Sequence, residues 1–165
     1  MGGLRSSRPA SNLTSMPTAI HRRVETLRSV GSSALIARMK SGWAVMADRQ
    51  VTRGQCLLLP DPVVASLNEL KGAARTQFLE DMAALGDALL RVTGAARINY
   101  EILGNLDPAL HAHVVPRFLD EPEAFRTKPI FAYDWEQAPT FDAVRDAALA
   151  EELRRELISK RACVS

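Results

Sequence analysis

The chain has 165 residues, of which 47% are hydrophobic and 24% charged. This length and composition are typical of one globular domain, and no apolar run approaches the roughly 18 residues that span a bilayer, so we expect no membrane partner. The formal net charge of +2 is too small to predict nucleic acid as a partner, although it is compatible with a local basic site for phosphates.

Residues 1–20 differ from the rest of the chain because they contain arginine, serine and proline but no acidic residue. We interpret them as a disordered tail; an organelle-targeting peptide has a similar composition and is the less favoured alternative. The two cysteines, Cys56 and Cys163, lie far apart and outside any metal-binding motif. This cysteine usage predicts a reducing compartment, and we expect the cytoplasm.

Three short apolar segments in the first part of the chain predict β-strands. They cover residues 34–39, 43–46 and 55–59, and the polar stretch 48–54 predicts the hairpin loop between the last two. After a proline-rich break, residues 64–70 predict a short helix.

A longer helix is predicted at residues 74–93, because apolar side chains recur there on one helical face. These side chains are Phe78, Met82, Leu85 and Leu89. Gly94 follows at the position of a C-cap, where glycine tolerates the left-handed backbone that often ends a helix.

The second half of the chain predicts two more strands, at residues 97–103 and 110–118, joined by a loop at 104–108. A final helix is predicted to begin near Asp142. Because strands and helices do not alternate along the chain, the order favours an α+β fold. We expect an antiparallel β-sheet with packed helices and a C-terminal helical extension.

Two of the three histidines, His111 and His113, lie two residues apart and therefore on one face of the predicted strand 110–118. Such a pair can bind a metal, transfer protons, or act as nucleophile and acid. A metal site needs three or four ligands, and His21 is the only other histidine, so we predict no metal. On spacing alone, two half-exposed histidines with a purely structural role are the favoured interpretation.

The surrounding sequence favours a catalytic role. Residues 98–117 read INYEILGNLDPALHAHVVPR. This stretch resembles the signature of the histidine-triad family, in which an amide residue on one strand precedes a glycine, a second amide residue, and alternating histidines that lead into Pro-Arg. The resemblance is close over residues 97–118 and looser from about residue 33.

Two positions depart from that signature. Ala109 stands where the family has the first of its three histidines, so the triad is a pair here. Gln55 follows Gly54 where many members have a histidine. Both missing histidines usually support the reaction rather than perform it. The Gln55 amide can still donate a hydrogen bond, whereas the Ala109 side chain cannot.

The resemblance implies that His111 attacks the α-phosphate of a nucleotide and forms a nucleotidyl-histidine, which water then hydrolyses. An imidazole needs its other nitrogen held by an acceptor for this role, and a backbone carbonyl can supply one in place of the residue at 109. The resemblance also implies that His113 hydrogen-bonds the phosphate or the leaving group and stabilises developing charge.

Further phosphate contacts are implied for Asn99, Asn105 and the backbone of the turn at Gly104. Ordinary hydrogen bonds of a turn and a strand edge are the alternative for Asn99 and Asn105. The family places a polar side chain on the ribose hydroxyls near Asp48, although a loop aspartate is more often a turn residue. Three more residues have two interpretations each: Leu35 and Trp43 form a base pocket or pack in the core, and Arg117 neutralises phosphate or is solvated.

We therefore expect a histidine-triad-like domain at residues 21–118, with residues 119–165 packed on it as a C-terminal extension. The implied function is hydrolysis or transfer at the α-phosphate of a purine nucleotide derivative, such as a dinucleoside polyphosphate or a nucleoside phosphoramidate, without a cofactor. A homodimer is implied by resemblance. The alternative function is a nucleotide-binding sensor or adaptor that lacks turnover.

Overall fold

The computed structural model describes residues 16–164, and it confirms the predicted α+β class. Five antiparallel strands form one sheet in the order β1-β2-β3-β5-β4, with helices packed on both faces. The elements are α1 (Ala19–Ser29), β1 (Leu35–Arg38), β2 (Gly42–Met46), β3 (Cys56–Pro60), α2 (Gly72–Thr93), β4 (Arg97–Glu101), β5 (Ala112–Arg117), α3 (Glu123–Arg126), a 3₁₀ turn (Ile130–Ala132) and α4 (Ala147–Ser159).

Strand β3 lies at the centre of the sheet, and all five of its residues are buried. Leu58 faces the larger apolar cluster, which contains side chains of α2 and α4. Leu57 and Leu59 face the opposite cluster, which contains three side chains of α1. An uninterrupted apolar segment suits this position because a strand covered on both faces has no solvated side.

Helix α1 was not predicted, because its first residues lie in the segment that we interpreted as a disordered tail. The Thr18 side chain accepts the N–H of His21, and the His21 ring accepts the N–H of Thr18, which makes a capping box. Ile20, Val24 and Leu27 then form its buried stripe. The predicted domain boundary at residue 21 therefore falls inside a helix, and residues 1–15 of the predicted tail lie outside the described residues.

The prediction of a helix at residues 64–70 is wrong, because the segment is irregular and contains only a turn at residues 67–69. Val64, Leu67 and Leu70 do pack against the core, so the apolar spacing is real. The backbone, however, is used in a tertiary contact: the carbonyl of Val64 accepts the N–H of Leu110 at 2.7 Å.

The same contact shortens the predicted strand 110–118. Because the N–H of Leu110 is bonded to Val64, strand pairing begins only at Ala112, and His111 precedes the strand. The predicted strand 97–103 likewise ends at Glu101. The last helix begins at Ala147 rather than near Asp142, whose carboxylate instead accepts the N–H groups of Val144 and Arg145 in a turn.

The long central helix and the C-terminal helix are confirmed. Helix α2 matches the predicted helix 74–93 closely and ends at Gly94, whose φ of 69° is the left-handed conformation expected of a C-cap. Helix α4 packs on α2 and on the edge strand β1, where the Arg154 guanidinium donates to the carbonyl oxygens of Leu35 and Ile36. Within residues 16–164, no helix is long and apolar enough to cross a membrane.

Candidate active site

His113 lies on β5 directly opposite Leu57 of β3 and Glu101 of β4. Since residues opposite one another share a face of the sheet, the His113 side chain lies on the face that also carries α1. The ring of His111, just before the strand, is close to it: the ring centroids are 5.1 Å apart, with the planes inclined at 66°. The two histidines are therefore neighbours and share one local environment.

A backbone carbonyl fixes the orientation of the His111 ring. Its Nδ1–H donates to the carbonyl oxygen of Ala109 at 2.8 Å. Because Nδ1 carries the proton in that hydrogen bond, Nε2 of the neutral ring is the nitrogen with a free lone pair. The acceptor that a nucleophilic histidine requires is thus supplied by the main chain of residue 109 and does not need a histidine side chain there.

Burial explains why a small residue stands at 109. Ala109 is fully buried in the cluster formed by α1 and the sheet, together with Ile20, Val24 and Leu57. A larger polar side chain would have to displace close-packed apolar groups and find a hydrogen-bond partner there.

Two aromatic side chains cover His113. The Phe131 and Trp135 rings lie edge-on to it at centroid distances of 5.4 and 6.2 Å, and they stack on each other at 5.0 Å. Burial, together with the nearby His111, lowers the pKa of His113 to about 4. The His113 ring is therefore neutral near pH 7.

Two polar atoms at this contact have no hydrogen-bond partner among the described residues: Nδ1 of His113 and Nε1 of Trp135. Buried polar atoms are almost always satisfied in folded proteins, and leaving one unpaired costs on the order of 1–3 kcal/mol. Because both atoms are buried, a bound polar group beside His111 can reach them only when the covering side chains move.

Phe131, Trp135 and Glu101 were not identified from the sequence. The two aromatic residues belong to the segment between β5 and α4, which has no helical or strand periodicity. The Glu101 carboxylate accepts the N–H of Ile130 at 3.4 Å and so joins this segment to β4. The alternation of side chains along β4 puts Glu101 on the face of the sheet that carries His113, and this alternation was the sequence pattern from which Glu101 could have been predicted.

The predicted phosphate-binding residues lie at two different cavities. Gly104 and Asn105 line a cavity of about 470 Å³ beside the turn at residues 65–68. Asn99 lines another, of about 620 Å³, at the far end of β4 and β5. Neither cavity has His111 or His113 in its lining. Asn99 lies two residues from Glu101 on β4, however, and so shares the face of the sheet that carries His113.

The predicted phosphate contact at Gly104 stays a prediction, and the protein leaves open space there. A Cβ built there would meet its nearest neighbour, the Asp107 carbonyl oxygen, at 4.0 Å, which is ordinary van der Waals contact. Its φ also lies outside the left-handed region. Neither space nor backbone conformation therefore requires glycine at this position.

Asp48 and Gln55 have different surroundings. The exposed Asp48 carboxylate pairs with Arg23 of α1 at 3.1 Å. Gln55 is completely buried, and both polar atoms of its side chain lack a partner among the described residues. Gln55 directly precedes β3, and continuing the alternation of that strand by one residue puts Gln55 on the face of Leu57 and His113. It therefore has hydrogen-bonding capacity on the correct side of the sheet.

Both interpretations of Arg117 are wrong, since it is neither solvated nor free to bind phosphate. It is 7% exposed, and it donates to the Glu121 carboxylate and to the carbonyl oxygen of Lys128. Trp43 is partly buried against the α1 cluster, as is Leu35, and its Nε1–H donates to Asp61 at 2.9 Å. These contacts favour the packing role for Leu35 and Trp43.

A metal centre is not apparent in the described part of the chain. Within residues 16–164, no three side chains of the ligating types His, Cys, Asp and Glu are grouped to hold an ion. Cys56 is buried, which raises the pKa of its thiol, and Cys163 lies near β1.

No protein-family model matches the sequence, and no curated protein matches it either. Several solved structures do match the fold. A histidine triad protein from Marinobacter aquaeolei VT8 superimposes with a TM-score of 0.69 at 16% identity, covering 87% of this chain and 98% of that one. The chain has the histidine-triad fold.

Two more structures support this. A histidine triad protein from Bradyrhizobium japonicum gives a TM-score of 0.65 at 22% identity, over 74% of this chain and 88% of that one. A zinc-bound histidine triad family protein from Mycobacterium smegmatis gives 0.58 at 19% identity, over 84% and 96%. At such identities the likeness establishes the histidine-triad fold, and the chemistry has to be argued from the side chains.

Proposed function

We propose that the protein is a nucleotide hydrolase or transferase that acts at an α-phosphate through a nucleotidyl-histidine formed on His111. The observation that carries the proposal is the 2.8 Å hydrogen bond from Nδ1 of His111 to the Ala109 carbonyl, which leaves Nε2 unprotonated. The histidine-triad fold supports the same assignment.

In the first step, the Nε2 lone pair attacks the α-phosphorus and forms a P–N bond. The bond from phosphorus to the leaving group breaks, and the leaving group departs with that electron pair and takes up a proton from solvent. In the second step, water attacks the same phosphorus and loses a proton to solvent, the electron pair of the P–N bond returns to Nε2, and the nucleotide leaves. Transfer replaces hydrolysis when another nucleophile takes the place of water.

His113 would contribute hydrogen bonding rather than a full positive charge. Because the pKa of His113 is about 4, its ring is neutral when His111 is reactive. A neutral imidazole has one N–H to donate to a phosphate oxygen or to the leaving group. Removing one such donor from an active site costs about 10²–10³ in rate, which is less than the loss of the nucleophile itself.

The substrate class proposed is a purine nucleotide derivative, either a dinucleoside polyphosphate or a nucleoside phosphoramidate. Phe131, which is 43% exposed and stacked on Trp135, offers an aromatic surface beside the histidine pair on which a base can stack. The assignments of Asn99, Gly104 and Asn105 to phosphate, and of Asp48 to ribose, stay predictions. Gln55 is proposed to support the site from its buried position.

A non-catalytic nucleotide sensor or adaptor is the second candidate. The covering of His113 by Phe131 and Trp135 favours it, because these rings occupy space beside a group that turnover requires. For catalysis, the substrate must displace the aromatic pair or enter from the His111 side. A sensor only has to bind a nucleotide, and this does not require access to His113.

The test is steady-state hydrolysis of a fluorogenic nucleoside phosphoramidate, with AMP binding measured in parallel by calorimetry. His111→Ala is expected to lose all turnover while keeping AMP affinity within a few fold, and His113→Ala to retain measurable turnover. Substantial turnover by His111→Ala would show that the nucleophile is assigned wrongly. AMP binding without turnover of any nucleoside derivative by the wild type would establish the sensor instead.

We also propose a homodimer formed through the sheet edge at β4. Within residues 16–164, β4 pairs with β5 alone, and Tyr100 on it is 42% exposed. An exposed strand edge is a ready site for pairing with a second copy. Light scattering after size exclusion is expected to give twice the monomer mass of 18.1 kDa, and the monomer mass at micromolar concentration would contradict this.

A further inference from the structure

We infer that the cavity at the far end of β4 and β5 is a second binding site, specific for a polyphosphate anion. The cavity has a volume of about 620 Å³ and lies between these strand ends and the segment that follows β5. Four basic side chains line it: Arg97, Arg117, Arg126 and Lys128.

Three of these cations have no counter-ion. Within residues 16–164, the ion pairs include no carboxylate partner for Arg97, Arg126 or Lys128. Arg117 alone is neutralised, by Glu121 at 2.8 Å. Like charges lining one cavity repel each other, and a bound anion relieves that repulsion, so the charge pattern predicts an anionic ligand.

The wall of the cavity is held in place by Arg117. Its guanidinium donates to the backbone carbonyl oxygens of Lys128 at 2.8 Å, Phe125 at 3.2 Å and Arg126 at 3.4 Å. These bonds hold the segment that contains Arg126 and Lys128 against strand β5. Such preorganisation lowers the entropy cost of binding, because the segment is already ordered before the ligand arrives.

The lining suits phosphate groups in particular. Guanidinium groups such as that of Arg97 bind phosphate oxygens through two parallel N–H donors, and a lysine ammonium adds a compact charge. The hydroxyl of Thr127 is an uncharged donor in the same lining. Three free cations match an anion of several charges, which favours a di- or triphosphate group over a single carboxylate.

This site is separate from the histidine pair. Arg117 follows His113 by four residues on β5, a distance of about 13 Å at the usual rise of a strand. The inference is therefore independent of the nucleotidyl transfer proposed for His111.

The experiment is calorimetric titration with tripolyphosphate, which has no nucleoside and cannot form a nucleotidyl-histidine. Wild type is expected to bind it, and Arg97→Ala and Lys128→Ala each to weaken binding by about tenfold, the usual loss for one charge-assisted hydrogen bond. Lys40→Ala is the matched control, since Lys40 is an exposed cation on another part of the surface. Melting temperatures establish that each variant is folded.

Three outcomes decide the inference. Equal weakening by Lys40→Ala would mean diffuse attraction to net charge and would overturn it. Loss of tripolyphosphate binding in His111→Ala would place the anion at the histidine pair and would also overturn it, whereas unchanged binding supports a separate site. ATP and AMP then identify the source. Arg97→Ala is expected to weaken ATP binding and tripolyphosphate binding alike and to leave AMP binding at the histidine pair unchanged. Weakening of AMP binding as large as that of tripolyphosphate would contradict recognition of the polyphosphate.

Discussion

The Arg117–Glu121 ion pair is predicted to hold the C-terminal segment on the sheet, and replacing Glu121 by Gln tests this. The two side chains are only 8% and 7% exposed. The carboxylate also accepts the hydroxyl of Tyr133 and the N–H of Phe118. Glu121→Gln keeps the size of the side chain but leaves a buried guanidinium without its counter-charge.

Removing one partner of a buried ion pair costs about 3–5 kcal/mol, because the remaining charge is uncompensated. Arg117 retains its three carbonyl acceptors, so we expect the lower end, about 3 kcal/mol. Urea unfolding followed by circular dichroism measures it, with Glu123→Gln, an exposed change on α3, as the control at about 0.5 kcal/mol or less. A loss below about 1 kcal/mol for Glu121→Gln would refute the reasoning.

The pH dependence gives an independent check. Burial raises the pKa of Glu121, but hydrogen bonds from Arg117, Tyr133 and the N–H of Phe118 outweigh it and the net pKa is lowered from 4.5. A lowered carboxyl pKa stabilises the fold above the unfolded pKa, and this stability is lost as the pH falls through the folded pKa. The difference between wild type and Glu121→Gln is therefore expected to shrink below about pH 4.5.

Three further predictions concern other parts of the chain. The pKa of His113 is about 4 in the folded chain, against an ordinary value of 6.5, so the unfolded chain is protonated first as the pH falls. Stability is therefore expected to fall as the pH drops from 6.5 towards 4. The urea midpoint of His113→Asn should vary less with pH over this range than that of wild type. Gly86→Ala is expected to destabilise by about 1–3 kcal/mol, since the new Cβ would lie 2.0 Å from the Tyr100 hydroxyl oxygen, and Tyr100→Ala in the same chain should recover most of it in thermal melts. AMP binding is expected to change the fluorescence of Trp135, which is the difference between the spectra of wild type and Trp135→Phe. If AMP leaves that difference unchanged, base stacking at the aromatic pair is contradicted.

The sheet and helix α2 were predictable from the sequence because their patterns are local. The stripe from Phe78 to Leu89 repeats with the helical period, and Gly94 ends it with a residue suited to a left-handed backbone. The buried strand β3 is an uninterrupted apolar run between Gly54 and Pro60. These patterns need no tertiary information.

The errors arose where tertiary contacts override the local pattern. Residues 64–70 have helical spacing, but the Val64 carbonyl is used by Leu110, and that bond also delays the start of β5 beyond His111. Helix α1 was missed because a polar tail obscures its capping box at Thr18.

The candidate site was predictable in part. His111 and His113 stand together in the sequence and in the structure, and the carbonyl at Ala109 supplies the acceptor that the sequence analysis allowed. Phe131 and Trp135 were not predictable, since they reach His113 from a segment held by the Arg117–Glu121 pair, which no periodicity reveals.

The covalent intermediate tests the central claim most directly. Wild type and His113→Ala would be mixed with a nucleoside phosphoramidate, quenched within milliseconds without acid, digested, and analysed by mass spectrometry. We expect a nucleotidyl adduct on His111 in both proteins and none in His111→Ala. An adduct on another residue, or turnover by wild type with no adduct on His111 at any time point, would contradict the assignment of His111 as the nucleophile.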